Sequence, residues 1–399
     1  MKLFKIIIYI LSIPLQGISF CIPKNKNLWI FGAWTGNKYA DNSKYLFEYI
    51  HQNKKENIKA IWLTDNKEVL NKLNKKGKLC VMKYSLQGFY YSIIAKYLVN
   101  CVSYNDLNIF AYIFGRKSIT INLWHGTPLK KLEIKYSKIS ILTRYFLITM
   151  MGRDYDVVIS SSSKVTTILK KYFSNPKTSF IEKGQPRNDG LFSQDKKRIL
   201  HNIIKENNGR IITYLPTFRE YAFSLQSFSL FKNYKFNIPK LEKTLKKYNA
   251  FLIIKLHPRD EEWNMNTIDL LHNSKRIFFI KDMDIDGDIY PLLAITDILI
   301  SDYSSVYLDF LIKNKPIIFS SFDKKEYIES DRGFYYDYNS VTPGKKTKDW
   351  DEINKEISSL LDGYDPYKKE RRKTNKFFNT YSDSNNSKRV FNAILNLIK

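Results

Sequence analysis

The sequence predicts an α/β protein organised as two parallel sheets wrapped by helices, and three observations carry that expectation. Short β-rich apolar runs alternate with amphipathic helical stretches from residue 28 onward, the pattern of βα units that build parallel sheets. The alternation occurs twice, and a polar stretch around residues 184–208, beginning "GQPRNDGLFSQDKK", separates the two series. A chain of 399 residues is also long enough for two domains of ordinary size, each with its own core. Two Rossmann-like domains facing an interdomain cleft are therefore expected.

Taken in order, the first series reads "LWIFGAW", then a helix at "NSKYLFEYIHQ", then "IKAIWLT", "KLCVMKY", "YLVNCVS", "SITINLW" and "DYDVVISS" as strands. The second reads "IITYLP", "AFLIIKLH", "RIFFIKD", "DILISDY" and "KPIIFSS". Domains are placed at 27–190 and 191–399, after an N-terminal segment of residues 1–26. That segment, "MKLFKIIIYILSIPLQGISFCIPKNK", carries Lys2 and Lys5 ahead of an apolar run broken by Pro14 and Gln16. A spanning helix wants about 20 apolar residues, and an interfacial helix with basic flanks fits at least as well. Membrane association from the cytoplasmic side is expected, with the mode of attachment left open. "ERRKTNKFF" near the end reads as a basic helix, either a solvated face or a second contact with the membrane surface.

Charge narrows the partners. The 65 Lys and Arg against 39 Asp and Glu leave a net charge of +26. Such an excess suits nucleic acid, anionic lipid or a phosphate-rich substrate, unless it is the ordinary solvated surface of a lysine-rich chain. No helix-turn-helix, RRM or zinc-finger pattern is present and the lysines are spread along the chain, so no nucleic-acid partner is expected. Cys21, Cys80 and Cys101 lack metal or disulfide spacing. "DMDIDGDIY" imitates the start of a calcium loop with Asp282, Asp284, Asp286 and Gly287, but Pro291 interrupts it and Leu293 stands where a glutamate is needed. No metal site is expected.

Open α/β sheets bind ligands beyond the carboxyl ends of their strands, and four stretches there draw attention. In "DILISDYSSVYLDF" a strand ends at Ser301, Asp302 and Tyr303 make the turn, and Ser304 and Ser305 open a helix running to about Lys313. Unpaired N–H groups and hydroxyls at such a start favour a phosphate. Asp309, four residues after Ser305, would share its face and accept from ribose hydroxyls. In "FLIIKLHPRD", Lys255, His257 and Arg259 gather cations where Pro258 stops a strand. In "YLPTFRE", Thr217 and Arg219 follow another strand; Arg219 would grip a phosphoryl group or pair with Glu220 or Asp260. In "NLWHGTPLKK", His125 and Gly126 follow a strand, and Thr127-Pro128 has the form of a helix cap followed by proline. Each stretch also has a purely structural reading as a cap or basic loop. All four fall at predicted strand ends, as a two-domain group-transfer enzyme requires.

"HGTPLKKL", "PTFRE", "KLHPRD" and "SDYSSVYLDF", in this order, resemble the CDP-glycerol glycerophosphotransferases that prime or polymerise teichoic acid, and "GQPRNDGLF" and "NSKYLFEYI" fit the same pattern over roughly residues 28–390. The resemblance implies a GT-B fold and a place at the inner face of the cell membrane. It implies CDP-glycerol as donor, a lipid-linked, poly(glycerol phosphate) or glycan acceptor, and no further cofactor. His125 would be the general base, and Arg219 and His257 would hold the donor phosphates with Lys255. Ser304 and Ser305 would bind phosphate and Asp309 the ribose, with Gly126, Thr127, Thr217 and Asp302 in support. A histidine suits the base role because its ordinary value of about 6.5 leaves a neutral imidazole near neutral pH. The chain lacks the large N-terminal extension of some family polymerases, and "YAFSLQSFSLFKNYKF" departs from the pattern. A GT-B glycosyltransferase and a ribitol-phosphate transferase are the alternative readings.

Overall fold

Thirteen strands form two all-parallel sheets in the computed structural model, which describes residues 14–15, 17–53, 57–132, 155–173, 175–194, 208–219, 229–330 and 333–397. The first sheet contains Asn25–Phe31 (β1), Lys59–Thr64 (β2), Cys80–Met82 (β3), Ala95–Asn100 (β4), Ile119–Asn122 (β5), Val157–Ser160 (β6) and Ser179–Glu182 (β7). Its order is β3-β2-β1-β4-β5-β6-β7. The second contains Arg210–Leu215 (β8), Ala250–Ile254 (β9), Ile277–Phe279 (β10), Ile298–Ser301 (β11), Ile317–Phe319 (β12) and Lys345–Lys346 (β13), ordered β10-β9-β8-β11-β12-β13. Each order starts at the middle, runs to one edge and returns to build the other half, which is the Rossmann arrangement. Both sheets are covered by helices, and the architecture is GT-B.

All eleven strands read from the sequence are present, and the described residues add β7 and β13. Both are edge strands. β7 has an exposed or half-buried pattern and β13 is two lysines. An edge strand packs on fewer neighbours and needs no apolar run, so periodicity does not reveal it.

The chain divides into two compact units: residues 1–125, 134–189 and 383–399 form the first, and 126–133 with 190–382 form the second. This differs from the sequence boundary in two respects, since residues 126–133 fall in the second unit and the end of the chain falls in the first. Helix Asn386–Asn396 belongs to the first unit, although it lies beyond residue 191. Val390, Phe391 and Ile394 are buried in the core of that unit with Trp29, Phe31, Phe47, Trp62 and Tyr97. Asp189 fastens the start of this helix by accepting from the backbone N–H of Asn386 and of Ser387, each at 2.8 Å, which also satisfies the positive end of the helix. Each fully buried large apolar side chain contributes roughly 1.5–3 kcal/mol. That burial keeps the final helix on the first sheet.

The core of the second unit is built on Tyr214, Phe231, Leu252, Ile254, Trp350, Ile353 and Ile357. Trp350 donates its indole N–H to the Leu230 carbonyl at 3.0 Å, so this large ring is buried without an orphaned donor. No described helix is long and apolar enough to cross a membrane. Residues 1–13 and 16 of the N-terminal segment, and 221–228 of the aromatic stretch, lie outside the described residues.

Candidate functional site

In the first unit, β1, β4 and β5 are neighbours, and the segments leaving their carboxyl ends meet at His125. The imidazole Nδ1 lies 3.1 Å from the backbone carbonyl of Cys101, just past β4. A carbonyl only accepts, so Nδ1 carries the hydrogen and Nε2 keeps its lone pair. Burial pushes His125 below its ordinary pKa; Asp41 and the Cys101 carbonyl push it up, Arg187 pushes it down and Asp106 up. The net direction is down, which keeps the ring neutral and basic near neutral pH.

The backbone carrying that ring is held at three carbonyls by two side chains. Arg187 Nη1 donates to the His125 carbonyl at 2.7 Å and pairs with Asp41 at 3.0 Å. Asn42 Nδ2 donates to the carbonyls of Leu123 and Trp124 at 3.1 and 2.8 Å, and its Oδ1 accepts from the Arg187 N–H at 3.0 Å. The clamp matters because Trp124 sits at φ +61° and Asp41 at φ +64°. For a residue with a Cβ the left-handed region costs roughly 1–2 kcal/mol, and it is held there only when its surroundings insist.

In the second unit, candidates collect at the ends of β9, β8 and β11, adjacent strands around the point where the order reverses. Asp302 receives the Thr217 N–H at 2.8 Å, the Thr217 hydroxyl at 2.7 Å and the Tyr303 N–H at 2.6 Å. Arg219 is 0 % exposed, pairs with Asp302 at 2.8 Å and donates to both oxygens of Asp323 at 2.6 and 3.0 Å. Its guanidinium lies 4.9 Å from the ring centre of Tyr303 and 5.2 Å from that of Tyr327. Asp260, 2 % exposed, is pushed up to about 7 by burial; the charge of Arg219 and a bond from its backbone N–H oppose this, and Asp302 adds to it.

His257 caps the short helix Pro258–Glu261, its Nδ1 accepting from the Arg259 N–H at 3.3 Å. The neutral ring therefore carries its hydrogen on Nε2, on an exposed side chain that lies 4.9 Å from the Phe218 ring. Lys255 pairs with Asp282 at 2.7 Å. Ser304 Oγ accepts from the Val306 N–H at 3.4 Å, whereas Ser305, at the start of helix Val306–Phe310, makes no side-chain capping bond. The acidic loop is a short turn with Asp284 accepting from the Lys281 N–H at 2.8 Å. Among the described residues no group of three or more His, Cys, Asp or Glu is placed to hold a metal ion.

With both sets of strand ends placed, comparison with known proteins assigns the family. Residues 15–396 match the family described as CDP-Glycerol:Poly(glycerophosphate) glycerophosphotransferase. The chain belongs to this glycerophosphotransferase family. It is 31 % identical over 371 residues to a teichoic acid poly(glycerol phosphate) polymerase of Bacillus spizizenii, covering 88 % of each chain. It is 34 % identical over 285 residues to a teichoic acid glycerol-phosphate primase of Bacillus subtilis, covering 71 % of this chain and 65 % of that one. A solved structure of the wall teichoic acid polymerase TagF superposes with a TM-score of 0.76 at 22 % identity, covering 100 % of this chain and 97 % of that chain, a likeness of fold.

Within this glycerophosphotransferase, three sequence expectations need correction. Arg219 does not present its charge to a donor phosphate: it is fully buried and neutralised by two carboxylates. Asp309 does not face a ribose: it is 0 % exposed and accepts from the Tyr290 hydroxyl at 2.7 Å. Thr127 does not cap a helix, because residues 127–132 are not helical; Lys130 instead pairs with Phe334 in an antiparallel bridge. The Thr127 hydroxyl is buried without a hydrogen-bond partner, and Gly126 beside it is buried. Sequence reasoning missed Asp41, Asn42, Arg187 and Asp323, and named Asp260 only as a possible partner of Arg219. Arg187 lies in "GQPRNDGLF" and Asp41 just before "NSKYLFEYI", stretches that carried the resemblance, so a signal was present without a role.

Proposed function

We propose that this chain transfers glycerol phosphate from CDP-glycerol to a hydroxyl of a membrane-linked or polymeric acceptor. The family match across residues 15–396 carries the reading. His125 takes the proton of the acceptor hydroxyl on Nε2, the nitrogen that the Cys101 carbonyl leaves unprotonated. The hydroxyl oxygen bonds to the β-phosphorus, the bond from that phosphorus to the bridging oxygen breaks, and CMP leaves with the bond's electrons. A phosphodiester to glycerol remains, and charge balances once the imidazolium gives up its proton.

On the donor side the reading assigns phosphate contacts to His257 Nε2–H, Lys255, the Ser305 hydroxyl, and the N–H groups beside Ser304. Arg219 and Asp302 act one step removed by fixing Thr217 and the loop that carries it. An anionic membrane surface is the expected setting. Support comes from helix Lys368–Phe378, which exposes Lys368, Lys369, Arg372, Lys373 and Lys376. Leu86 at 86 % and Tyr90 at 58 % exposure offer an apolar contact on another helix.

A direct test offers CDP-glycerol or CDP-ribitol with a lipid-linked acceptor in anionic vesicles and measures CMP release. CDP-glycerol should support turnover, and His125→Ala should lower the rate at least about a hundredfold without changing thermal denaturation. Preference for CDP-ribitol would move the assignment to the ribitol-phosphate relatives, of which one in Bacillus spizizenii is 30 % identical over 247 residues. Full activity in the alanine variant would remove His125 as base.

A further inference from the structure

Trp34 occupies a position that folding alone does not explain. It follows β1, is 40 % exposed, and its ring centre lies 6.1 Å from that of His125 with the planes at 72°. Trp34, Thr35 and Gly36 take φ values of +48°, +58° and +90°, three left-handed residues in succession, two of which have a Cβ. Such a run persists only when its surroundings over-determine it, and such runs concentrate at functional sites.

Buried charge supplies the restraint. Asp106 Oδ1 accepts from the Thr35 N–H at 2.8 Å, and its Oδ2 accepts from Cys101 and Val102 N–H at 3.1 and 2.8 Å. One carboxylate thus fixes both the indole's turn and the segment whose carbonyl orients His125. Lys83, 4 % exposed, donates to the Thr35 and Asn105 carbonyls at 2.9 Å each and pairs with Asp65 at 2.9 Å. Thr64 and the Asp65 N–H hold the Gly36 carbonyl at 2.7 and 2.8 Å. The product of all this is a large apolar ring directed partly into water beside the base.

We infer that Trp34 is the acceptor platform, seating a sugar ring of the acceptor by its C–H face so that a hydroxyl reaches His125. This rests on the transferase reading and adds to it the residue that selects the acceptor. A π face is negative and attracts the weakly positive C–H hydrogens of a pyranose. The exposed flanking groups are neutral hydrogen-bonding ones, Thr35 and Asn37, joined at 3.0 Å, which suit sugar hydroxyls. The ammonium beneath the turn is engaged by Asp65 and carbonyls, so the face around the indole is not built for a phosphate; Lys38 stands further along the loop.

Saturation-transfer NMR on the full chain tests this without needing turnover. The probes are a panel of methyl hexopyranosides, with and without N-acetyl groups, and glycerol 3-phosphate as control. At least one hexopyranoside should receive saturation at its ring C–H protons in the wild type, less in Trp34→Phe, and none in Trp34→Ala, while the CDP-glycerol response stays constant. In turnover assays Trp34→Ala should raise the acceptor KM about tenfold and leave the donor KM in place. Silence from every hexopyranoside, or a response that survives Trp34→Ala, overturns the assignment, as does a glycerol 3-phosphate response that depends on Trp34. Absent CMP release alongside an intact, Trp34-dependent hexopyranoside response would count against the transferase reading and leave the platform standing.

Discussion

Asp260→Asn tests whether a carboxyl under the donor-side loop stays protonated in the folded protein. Burial pushes Asp260 up to about 7 from 3.8, and one of its oxygens, Oδ2, is buried without a hydrogen-bond partner. The unfolded chain releases the same proton near the usual aspartate value of about 3.9. Between those two values the folded state holds more protons than the unfolded state, so stability falls as pH rises through the window. At about pH 8 the accumulated cost is about 4 kcal/mol, and at about pH 5 it is about 1.5 kcal/mol. Asparagine cannot ionise, and its carbonyl oxygen keeps the bond from the Arg219 backbone. Chemical denaturation of wild type and variant across this range should show the variant gaining ~2–3 kcal/mol on the wild type from about pH 5 to about pH 8. Parallel pH curves would mean that Asp260 is already ionised in the fold, and the argument from burial would be wrong.

Three further substitutions separate roles that the sequence left merged. Removing Arg219 as Arg219→Met strands Asp302 and Asp323 as buried, uncompensated charges. Breaking such a group typically costs about 3–5 kcal/mol, so a drop in stability of that order is expected by thermal denaturation. Unchanged stability with a raised donor KM would restore Arg219 to phosphate binding. At the base, Arg187 holds the His125 pKa down and Asp41 holds it up. If His125 is the base as proposed, the neutral ring is the active form, so the acid limb of kcat/KM should move to higher pH in Arg187→Met and to lower pH in Asp41→Asn. A limb that stays put in both would show that His125 is not the titrating group.

Much of the candidate site was legible because open α/β sheets place ligand-binding groups past the carboxyl ends of their strands. His125, His257, Lys255, Thr217, Asp302, Ser304 and Ser305 all stand close behind an apolar run in the sequence, and each lies just past the carboxyl end of its strand. Direction was the part that local pattern misjudged. Helical spacing placed Asp309 on the face of Ser305, yet its carboxyl points to Tyr290 in the core. An arginine after a strand looked like an anion grip, yet Asp302 and Asp323, far along the chain, hold it as a buried ion pair.

Alternation of apolar runs, punctuated by turns, determined by itself that the chain makes two parallel α/β sheets, because that periodicity is set by each residue's nearest neighbours. The strand order, the return of helix Asn386–Asn396 to the first unit, and the edge strands β7 and β13 were decided only in three dimensions. The same holds for the tautomer of His125, which depends on a carbonyl 24 residues away, and for its clamp, which joins Arg187 to Asp41 across 146 residues. Local pattern reports which face of a strand or helix is apolar. It carries no record of which distant charge or carbonyl that face will meet, and those meetings set the tautomer of a histidine and make an arginine a strut.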